Sequence, residues 1–295
     1  MEQMKKSVCV FSHYFSGNYF PLYVRLFLEE LQRHFDEIVL VTNLREISNE
    51  EAIRSPKVSI LKVKNEGYDM GMFYKGFQTL HPVEYETIAF VNDSNILFGK
   101  LNFLFDWAKT QNVSFWGLMD SHARPPFSVH ANNYHLQSHF IVFNRSSLPF
   151  LQEYLNKINL DEFRNEPNIK KLREKVINVW EIGLSQFLLS KELTSAAFVD
   201  SSEYQTKYVK NTDVNVSLKL HDKIIENGVP VIKKKVVFSV KIPDLFSYKR
   251  NWKRLIKTYG EQKWPLTELV NELSQLKKDT LKQKLNKRTR LSKTS

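Results

Sequence analysis

The sequence contains few of the residues that mark several specialised classes of protein. It has one cysteine, Cys9, which excludes an internal disulfide framework and any metal site built from several cysteines. Only 9 of its 295 residues are glycine and 10 are proline, so the chain is neither collagen-like nor rich in linkers. No apolar run approaches the roughly 20 residues that span a bilayer, and the first residues predict no signal peptide. We therefore expect a folded protein in a reducing cytoplasm.

The sequence does contain enough apolar material for one large domain, and its charge is unevenly distributed. Hydrophobic residues make up 42% of the chain, and the net charge is +11. Residues 249–295 hold 14 Lys and Arg against 4 Asp and Glu, whereas the remaining residues hold 29 against 28. We therefore predict a nearly neutral domain over residues 1–247 and a basic, amphipathic helical extension over residues 248–295.

Short apolar runs alternate with segments of helical periodicity. The predicted strands are Ser7–Phe11, Glu37–Val41, Val58–Lys64, Thr87–Val91, Val113–Leu118, His135–Phe143 and Ser195–Val199. The predicted helices lie between them, at 20–35, 70–80, 101–110, 148–157 and 169–189, and a polar loop is predicted over Tyr204–Ser217. This alternation favours an α/β fold with a mostly parallel sheet flanked by helices.

Polar residues and glycines follow the predicted strands, where ligands bind in open α/β sheets. The candidates are Ser12 and His13 after the first strand, Asn65, Gly67, Tyr68, Asp69 and Gly71 after the third, and Asn92, Asp93 and Ser94 after the fourth. The glycines allow a ligand to approach the backbone closely, and Asp93 could hold Mg²⁺ together with phosphate oxygens. Turn formation and helix capping explain the same residue types without a ligand. Neither G-x-G-x-x-G nor a phosphate-binding G-K-[ST] motif occurs.

Glu181 is a carboxylate within the apolar helical segment Trp180–Ser185. A glutamate in such surroundings can act as a general base, although a single glutamate in a helix is more often a surface residue. The hydrolase motifs G-x-S-x-G and H-E-x-x-H are absent, and a glycosidase would need a second carboxylate facing the first.

The basic extension contains an amphipathic segment, Tyr248–Tyr259. Its apolar face carries Trp252, Leu255, Ile256 and Tyr259, and five basic residues lie opposite. A helix of this type can lie on an anionic membrane surface. Alternatively, its apolar face packs on the protein's own core and the charges are solvated. A second possibility is that Leu266–Leu285, with its leucine stripe, pairs with a partner helix.

Six short motifs occur in an order that resembles the rhamnan synthesis protein F family. They are N-x-G-Y-D-x-G at 65–71, N-D-S at 92–94, F-W-G-L at 115–118, L-Q-S-x-F at 136–140, W-E-I-G-L-S at 180–185 and G-V-P-V-I-K at 228–233. Members of this family are bacterial sugar transferases that build rhamnose-containing cell-surface polysaccharides, and they resemble GT-A glycosyltransferases. The resemblance runs from about Val8 to Lys233.

The resemblance implies roles for individual residues. Ser12, His13, Asn65, Gly67 and Asp69 would hold the nucleotide, and Trp116, Gly117, Gln137 and Ser138 would lie where the donor sugar and the acceptor meet. Glu181 would be the catalytic base of an inverting enzyme. Asp93 would bind a divalent metal, Mg²⁺ or Mn²⁺, although N-D-S has one carboxylate where GT-A enzymes usually have two.

The resemblance thus implies a cytoplasmic glycosyltransferase that is peripheral on the inner face of the membrane. It would transfer a sugar, such as L-rhamnose from a dTDP donor, to a lipid-linked glycan. The near-neutral domain argues against a nucleic-acid partner, since a groove that follows phosphates would also draw basic residues into the domain. The alternative is a non-catalytic adaptor that binds anionic lipid or nucleic acid through its basic extension.

Overall fold

The computed structural model describes residues 6–209, 215–239 and 251–291, with side chains up to residue 283. The strands are β1 Lys6–His13, β2 Glu37–Thr42, β3 Val58–Lys62, β4 Tyr85–Asn92, β5 Asn95–Leu97, β6 Phe115–Ser121, β7 His135–Leu136, β8 Phe140–Asn144, β9 Ser195–Val199 and β10 Val231–Lys233. The helices are α1 Leu22–Leu31, α2 Tyr68–Phe77, α3 Asn102–Thr110, α4 Leu148–Asn156, α5 Asp161–Arg164, α6 Ile169–Val176, α7 Gly183–Ser190, α8 Ser201–Tyr208, α9 Val216–Lys219, α10 His221–Glu226, α11 Lys234–Val237, α12 Trp252–Tyr259 and α13 Leu266–Leu291. A π-helical segment, Ile177–Ile182, joins α6 to α7.

The main sheet has the strand order β3-β2-β1-β4-β8-β6-β7, and β9 pairs with β6. Strands β1 to β4 are parallel to one another where they pair, whereas β8 is antiparallel to both β4 and β6. The central strand β1 is apolar and buried from Val8 onward because both faces of the sheet are covered. The predicted α/β fold with a mostly parallel sheet is therefore confirmed.

Two predicted elements differ from the structure. The predicted strand His135–Phe143 is split, because β7 pairs with the end of β6 and β8 with its beginning, and Gln137–His139 form the turn between them. The predicted loop Tyr204–Ser217 contains part of α8, which lacks an apolar stripe but begins at an N-cap. The Asp200 carboxylate caps it by accepting hydrogen bonds from the amides of the second and third residues that follow.

The chain forms two compact units. The first contains residues 1–20, 28–93 and 101–216, and therefore the whole main sheet. The second contains residues 21–27, 94–100 and 217–295, with the two-stranded sheet of β5 and β10. The predicted boundary between residues 247 and 248 falls within 240–250, outside the described residues, and it stays a prediction.

Three of the four residues on the apolar face of α12 are buried within the second unit, which corrects the expectation that this face enters a membrane, whereas Tyr259 is 40% exposed. Leu255 and Ile256 have no exposed surface, and 8% of Trp252 is exposed. The helix begins at Trp252, where the Asn251 side chain caps it, and the predicted residues 248–250 lie outside the described residues. On α13, Leu269 and Leu273 are buried as well. Every described helix is too short or too polar to span a bilayer.

Candidate functional site

The carboxyl end of β4 meets the beginning of α2 through a pair of side chains. The Asn92 amide donates a hydrogen bond of 2.9 Å to Asp69 Oδ2, and it lies 3.5 Å from the carbonyl oxygen of Ser138. The Asn92 backbone N–H donates to the His139 carbonyl. Sequence-predicted residues from three separate segments are therefore in contact in the first compact unit.

The loop Asn65–Gly71, which precedes and begins α2, has a tightly constrained backbone. Gly67 and Tyr68 both have positive φ, at 75° and 55°, a conformation that is unfavourable for a tyrosine. A Cβ atom on Gly71 would lie 1.6 Å from the Glu66 carbonyl oxygen, so only glycine fits there. The Glu66 carboxylate pairs with Lys75 at 2.6 Å and with Arg164 at 3.0 Å, and these cations lower its pKa. The loop is thus fixed by its glycines and its ion pairs.

Glu181 lies in the π-helical segment and accepts hydrogen bonds from Ser138. The Ser138 Oγ is 3.1 Å and its backbone N is 3.4 Å from Glu181 Oε1. The Tyr154 hydroxyl donates to the Val179 carbonyl within the π turn. A Cβ on Gly183 would be 2.5 Å from the Asn178 carbonyl oxygen, so this packing also requires glycine. Single π turns of this kind often occur at functional sites.

These residues border a cavity of about 440 Å³, here called the Glu181 cavity. It is lined by Tyr68, Asp69, Met70, Ser138, Ile169, Arg173, Val176, Ile177 and Glu181. The sequence predicted Tyr68, Asp69, Ser138 and Glu181 but missed Met70 and the four residues from 169 to 177. The spacing of four residues between Ile169, Arg173, Ile177 and Glu181 is the signal that would have indicated a shared helical face.

A second cavity of about 470 Å³, here called the basic cavity, lies beyond the carboxyl ends of β1, β2 and β3. It is lined by Tyr14, Asn43, Leu44, Arg45, Lys62, Val63, Lys64 and Asn65. Asn65 was predicted as a ligand residue, whereas the three cations were not. Lys62 is 3.4 Å from Glu50, and both side chains are about half exposed. Three cations around one cavity favour an anionic ligand.

Ser12, His13 and Asp93 lie beneath the surface, although they were predicted to bind the nucleotide or a metal. His13 Nδ1 is 3.0 Å from the Thr42 hydroxyl, and His13 Nε2 is 3.8 Å from Asp93 Oδ2. Ser12 is fully buried, and 5% of the Asp93 side chain is exposed. These three residues lie below the surface at the carboxyl ends of β1 and β4.

The donor groups around Asp93 do not fit a metal ion that bridges a diphosphate. The described residues contain no group of three His, Cys, Asp or Glu side chains placed to hold a metal. One nearly enclosed carboxylate leaves little room for the phosphate and water ligands that Mg²⁺ requires. The dependence on Mg²⁺ or Mn²⁺ stays a prediction.

The predicted residues Trp116, Gly117 and Gln137 make packing contacts and hydrogen bonds with other parts of the protein. Trp116 packs against the rings of Phe105, Trp107 and Phe140, and a Cβ on Gly117 would be 3.0 Å from the Phe140 carbonyl oxygen. The Gln137 amide donates to the Asp120 carbonyl at 3.0 Å. Their contact with substrates stays a prediction. Ser94 lies in the second compact unit, where its carbonyl accepts from the Lys234 N–H.

Three solved structures are similar to this chain at low identity and low TM-score. A 4-diphosphocytidyl-2C-methyl-D-erythritol synthase from Anaerococcus prevotii has 11% identity and a TM-score of 0.40, over 73% of this chain and 94% of the other. A putative glucose-1-phosphate thymidylyltransferase from Bacillus anthracis has 7% identity and a TM-score of 0.41, over 66% and 86%. The glycosyltransferase GlyE of Streptococcus pneumoniae has 15% identity and a TM-score of 0.39, over 91% and 63%. These TM-scores are too low to establish a shared function.

Comparison with curated proteins gave no match. The model of the rhamnan synthesis protein F family, in contrast, matches residues 38–290, which is most of the chain. The match extends beyond Lys233, where the motifs end, and includes α12 and most of α13. It confirms the enzyme class implied by the motifs, a glycosyltransferase that depends on a nucleotide sugar. The chain belongs to the rhamnan synthesis protein F family.

Proposed function

We propose that the protein transfers L-rhamnose from a dTDP donor to a lipid-linked glycan during synthesis of a cell-surface polysaccharide. The observation that carries this proposal is the Glu181 carboxylate, which borders the Glu181 cavity and is oriented by Ser138. The direct test is transfer of labelled sugar from a panel of dTDP and UDP sugars to a lipid-linked acceptor. Absence of transfer from every donor would contradict the proposal.

The proposed reaction is a single displacement with inversion at the anomeric carbon. Glu181 takes the proton of the acceptor hydroxyl while that oxygen forms a bond to the anomeric carbon. The bond from this carbon to the donor diphosphate breaks, and the nucleoside diphosphate leaves with the bonding electrons. Because Ser138 donates to Oε1, we assign proton uptake to Oε2. Binding both substrates in one orientation supplies much of the rate.

The basic cavity is the proposed site of the donor nucleotide and its diphosphate. Arg45, Lys62 and Lys64 compensate the negative charge, and Asn65 connects this cavity to the loop whose Tyr68 and Asp69 reach the Glu181 cavity. Hydrogen bonds from charged groups to phosphate are stronger than those between neutral groups. This arrangement supplies electrostatic stabilisation of the leaving diphosphate from side chains of the protein.

Replacement of Arg45 by glutamine is expected to weaken donor binding about tenfold, because it removes one charge-assisted contact to phosphate. The effect should decrease as ionic strength rises, since the contact is partly exposed. Isothermal titration with dTDP and with dTDP-rhamnose measures both quantities.

Lys109→Gln is the matched control for Arg45→Gln. Lys109 is 76% exposed and pairs with Asp106 on α3, so its neutralisation changes the net charge equally without altering the basic cavity. Equal donor affinity in the Arg45 variant and in this control would move the donor site elsewhere.

Membrane attachment is proposed to use the charged face of α12, because three of the four residues on its apolar face are buried. Lys253 and Lys257 are exposed, and each lysine or arginine near an anionic surface contributes on the order of 1 kcal/mol. Lys253→Gln/Arg254→Gln/Lys257→Gln is therefore expected to reduce co-sedimentation with anionic liposomes, by more at low salt than at high salt.

The control for this charge variant neutralises three lysines outside α12, namely Lys100, Lys109 and Lys157. Both variants keep the buried face of α12 intact, whereas truncation at Ser247 would remove Leu255 and Ile256 from the core. Equal liposome binding by the two variants, or no binding by the unmodified protein, would show that α12 is not a membrane attachment.

A further inference from the structure

One short segment of the first unit contacts both the loop 65–71 and the π-helical segment. It comprises residues 158–168, contains α5, and is here called the α5 segment. Phe163, of which 3% is exposed, packs edge-to-face on Trp180 with the ring centroids 6.2 Å apart. The Phe163 Cβ atom also lies 3.5 Å from the position that a Cβ atom on Gly67 would occupy. The α5 segment therefore joins the loop to the residue that precedes the proposed base.

A bidentate ion pair fixes the α5 segment to the loop. Arg164 Nε is 3.0 Å from Glu66 Oε1, and Arg164 Nη2 is 3.3 Å from Glu66 Oε2. The third nitrogen, Nη1, donates to Asp161 within α5 at 2.7 Å. Because 51% of the Arg164 side chain is exposed, the pair contributes little to the stability of the protein. Its two parallel hydrogen bonds nevertheless define one relative orientation of the two groups.

Lys75 holds the same carboxylate from α2. Its Nζ is 2.6 Å from Glu66 Oε2 and 2.8 Å from the carbonyl oxygen of Lys64. Glu66 thus connects the α5 segment to α2. Tyr68, two residues later, has a left-handed backbone with φ at 55°, a conformation that persists only where the surrounding contacts impose it. The ion pairs of Glu66 supply such contacts.

The loop 65–71 lines both cavities. Asn65 borders the basic cavity, whereas Tyr68, Asp69 and Met70 border the Glu181 cavity. A displacement of the loop would therefore change the position of the donor relative to the proposed base. Misplacement of reacting groups by about 1 Å can lower a rate on the order of 10²-fold, even when its cause is far from the chemistry.

We propose that Glu66, Arg164 and Lys75 form an interlock that holds the loop 65–71 in register with the π-helical segment during transfer. Arg164 is a positioning residue in this arrangement, because it acts through Glu66, and the side chains that line the two cavities include neither of them. This inference rests on the proposed function and adds to it residues outside both cavities. Loss of the interlock should lower turnover, whereas the cations of the basic cavity should still hold the donor.

Arg164→Gln is expected to lower kcat by about 10- to 100-fold, whereas the Kd of the donor should stay unchanged in a titration. Arg164→Lys keeps the charge but not the planar fork of donors, and it should restore part of kcat. Glu66→Gln should lower kcat at least as much as Arg164→Gln, since it alters both ion pairs. Because residues that act as one unit are not additive, adding Arg164→Gln to Glu66→Gln should cause little further loss.

Lys157→Gln is the matched control, because Lys157 is 60% exposed and pairs with Glu153 on α4 instead of with the loop. It should leave kcat unchanged. Arg164→Gln should lower Tm by less than about 4 °C, so that kcat is compared between folded proteins. Unchanged kcat in Arg164→Gln, an equal fall in Lys157→Gln, or additive losses in the double variant would overturn the inference.

Hydrogen exchange of the amides in the loop 65–71 tests the interlock without turnover. Exchange should be faster in Arg164→Gln than in the unmodified protein, and unchanged in Lys157→Gln. Equal exchange in the two variants would show that the ion pair does not hold the loop, and this too would overturn the inference. Absence of transfer by the unmodified protein refutes the proposed function itself, and hydrogen exchange then still decides whether the interlock holds the loop.

Discussion

Glu181→Gln is expected to lower kcat by about 10²–10⁴-fold while the donor affinity stays unchanged, because glutamine keeps the size of the side chain but cannot accept the proton. The Ser138 hydroxyl can still donate to the amide oxygen of the new side chain, so the local structure should persist. Steady-state kinetics with the true acceptor, together with titration of the donor, separates the two quantities.

Glu203→Gln provides the matched control, because Glu203 is an exposed glutamate on α8, and its replacement should leave kcat unchanged. Ser138→Ala tests the positioning of the base, and a smaller fall in kcat is expected because the carboxylate remains. Full activity in Glu181→Gln would assign Glu181 a structural role and remove the base from the proposed mechanism.

Gly71→Ala is expected to destabilise the protein by about 3 kcal/mol, since the new methyl group overlaps the Glu66 carbonyl and the loop must move. For a protein of this size, the corresponding decrease in Tm is about 6–12 °C. Donor binding should weaken as well, because the same loop carries Asn65 and Asp69. Thermal unfolding and donor titration measure these two effects.

Gly67→Asn is the control within the same loop. Gly67 has φ at 75°, and a Cβ there would meet its nearest atom at an ordinary 3.5 Å, so the change introduces no overlap. Asparagine tolerates the left-handed conformation better than other residues with side chains, and the loss should be below about 1 kcal/mol. Equal destabilisation by the two variants would mean that the overlap with the Glu66 carbonyl oxygen does not set Gly71 apart from the rest of the loop.

The strand ends were the part of the site that the sequence revealed most reliably. Asp69 and Asn92 were predicted from their positions after two strands, and they are hydrogen-bonded because the carboxyl ends of parallel strands share one edge. The cations of the basic cavity were not predicted. Lys62 and Lys64 alternate with apolar residues on β3 and just beyond it, and this pattern is the same for a solvated strand face and for a cavity wall.

Two other features depend on tertiary contacts that a sequence does not specify. Ser138 reaches Glu181 because the turn between β7 and β8 interrupts a segment that was predicted as one strand. The apolar stripe of α12 identifies an amphipathic helix but not the surface that covers it. In the structure, Trp252, Leu255 and Ile256 of that stripe are buried within the second compact unit and belong to its core, whereas Tyr259 is exposed.

The first turn of α1 has a consequence for the order in which the protein folds during synthesis. The N–H of Leu22 donates to both carboxylate oxygens of Glu272, at 3.0 and 2.8 Å, and burial raises the pKa of this glutamate. The two residues are 250 positions apart, so at about 5–20 residues per second the ribosome adds Glu272 roughly 12 to 50 s after Leu22. Until then the helix lacks this cap, and most of α13 has not been made. The parallel strands β1 to β4 end at Asn92, so they are synthesised long before the cap of α1 and belong to an incomplete protein, with apolar surface open to chaperones, for most of that interval.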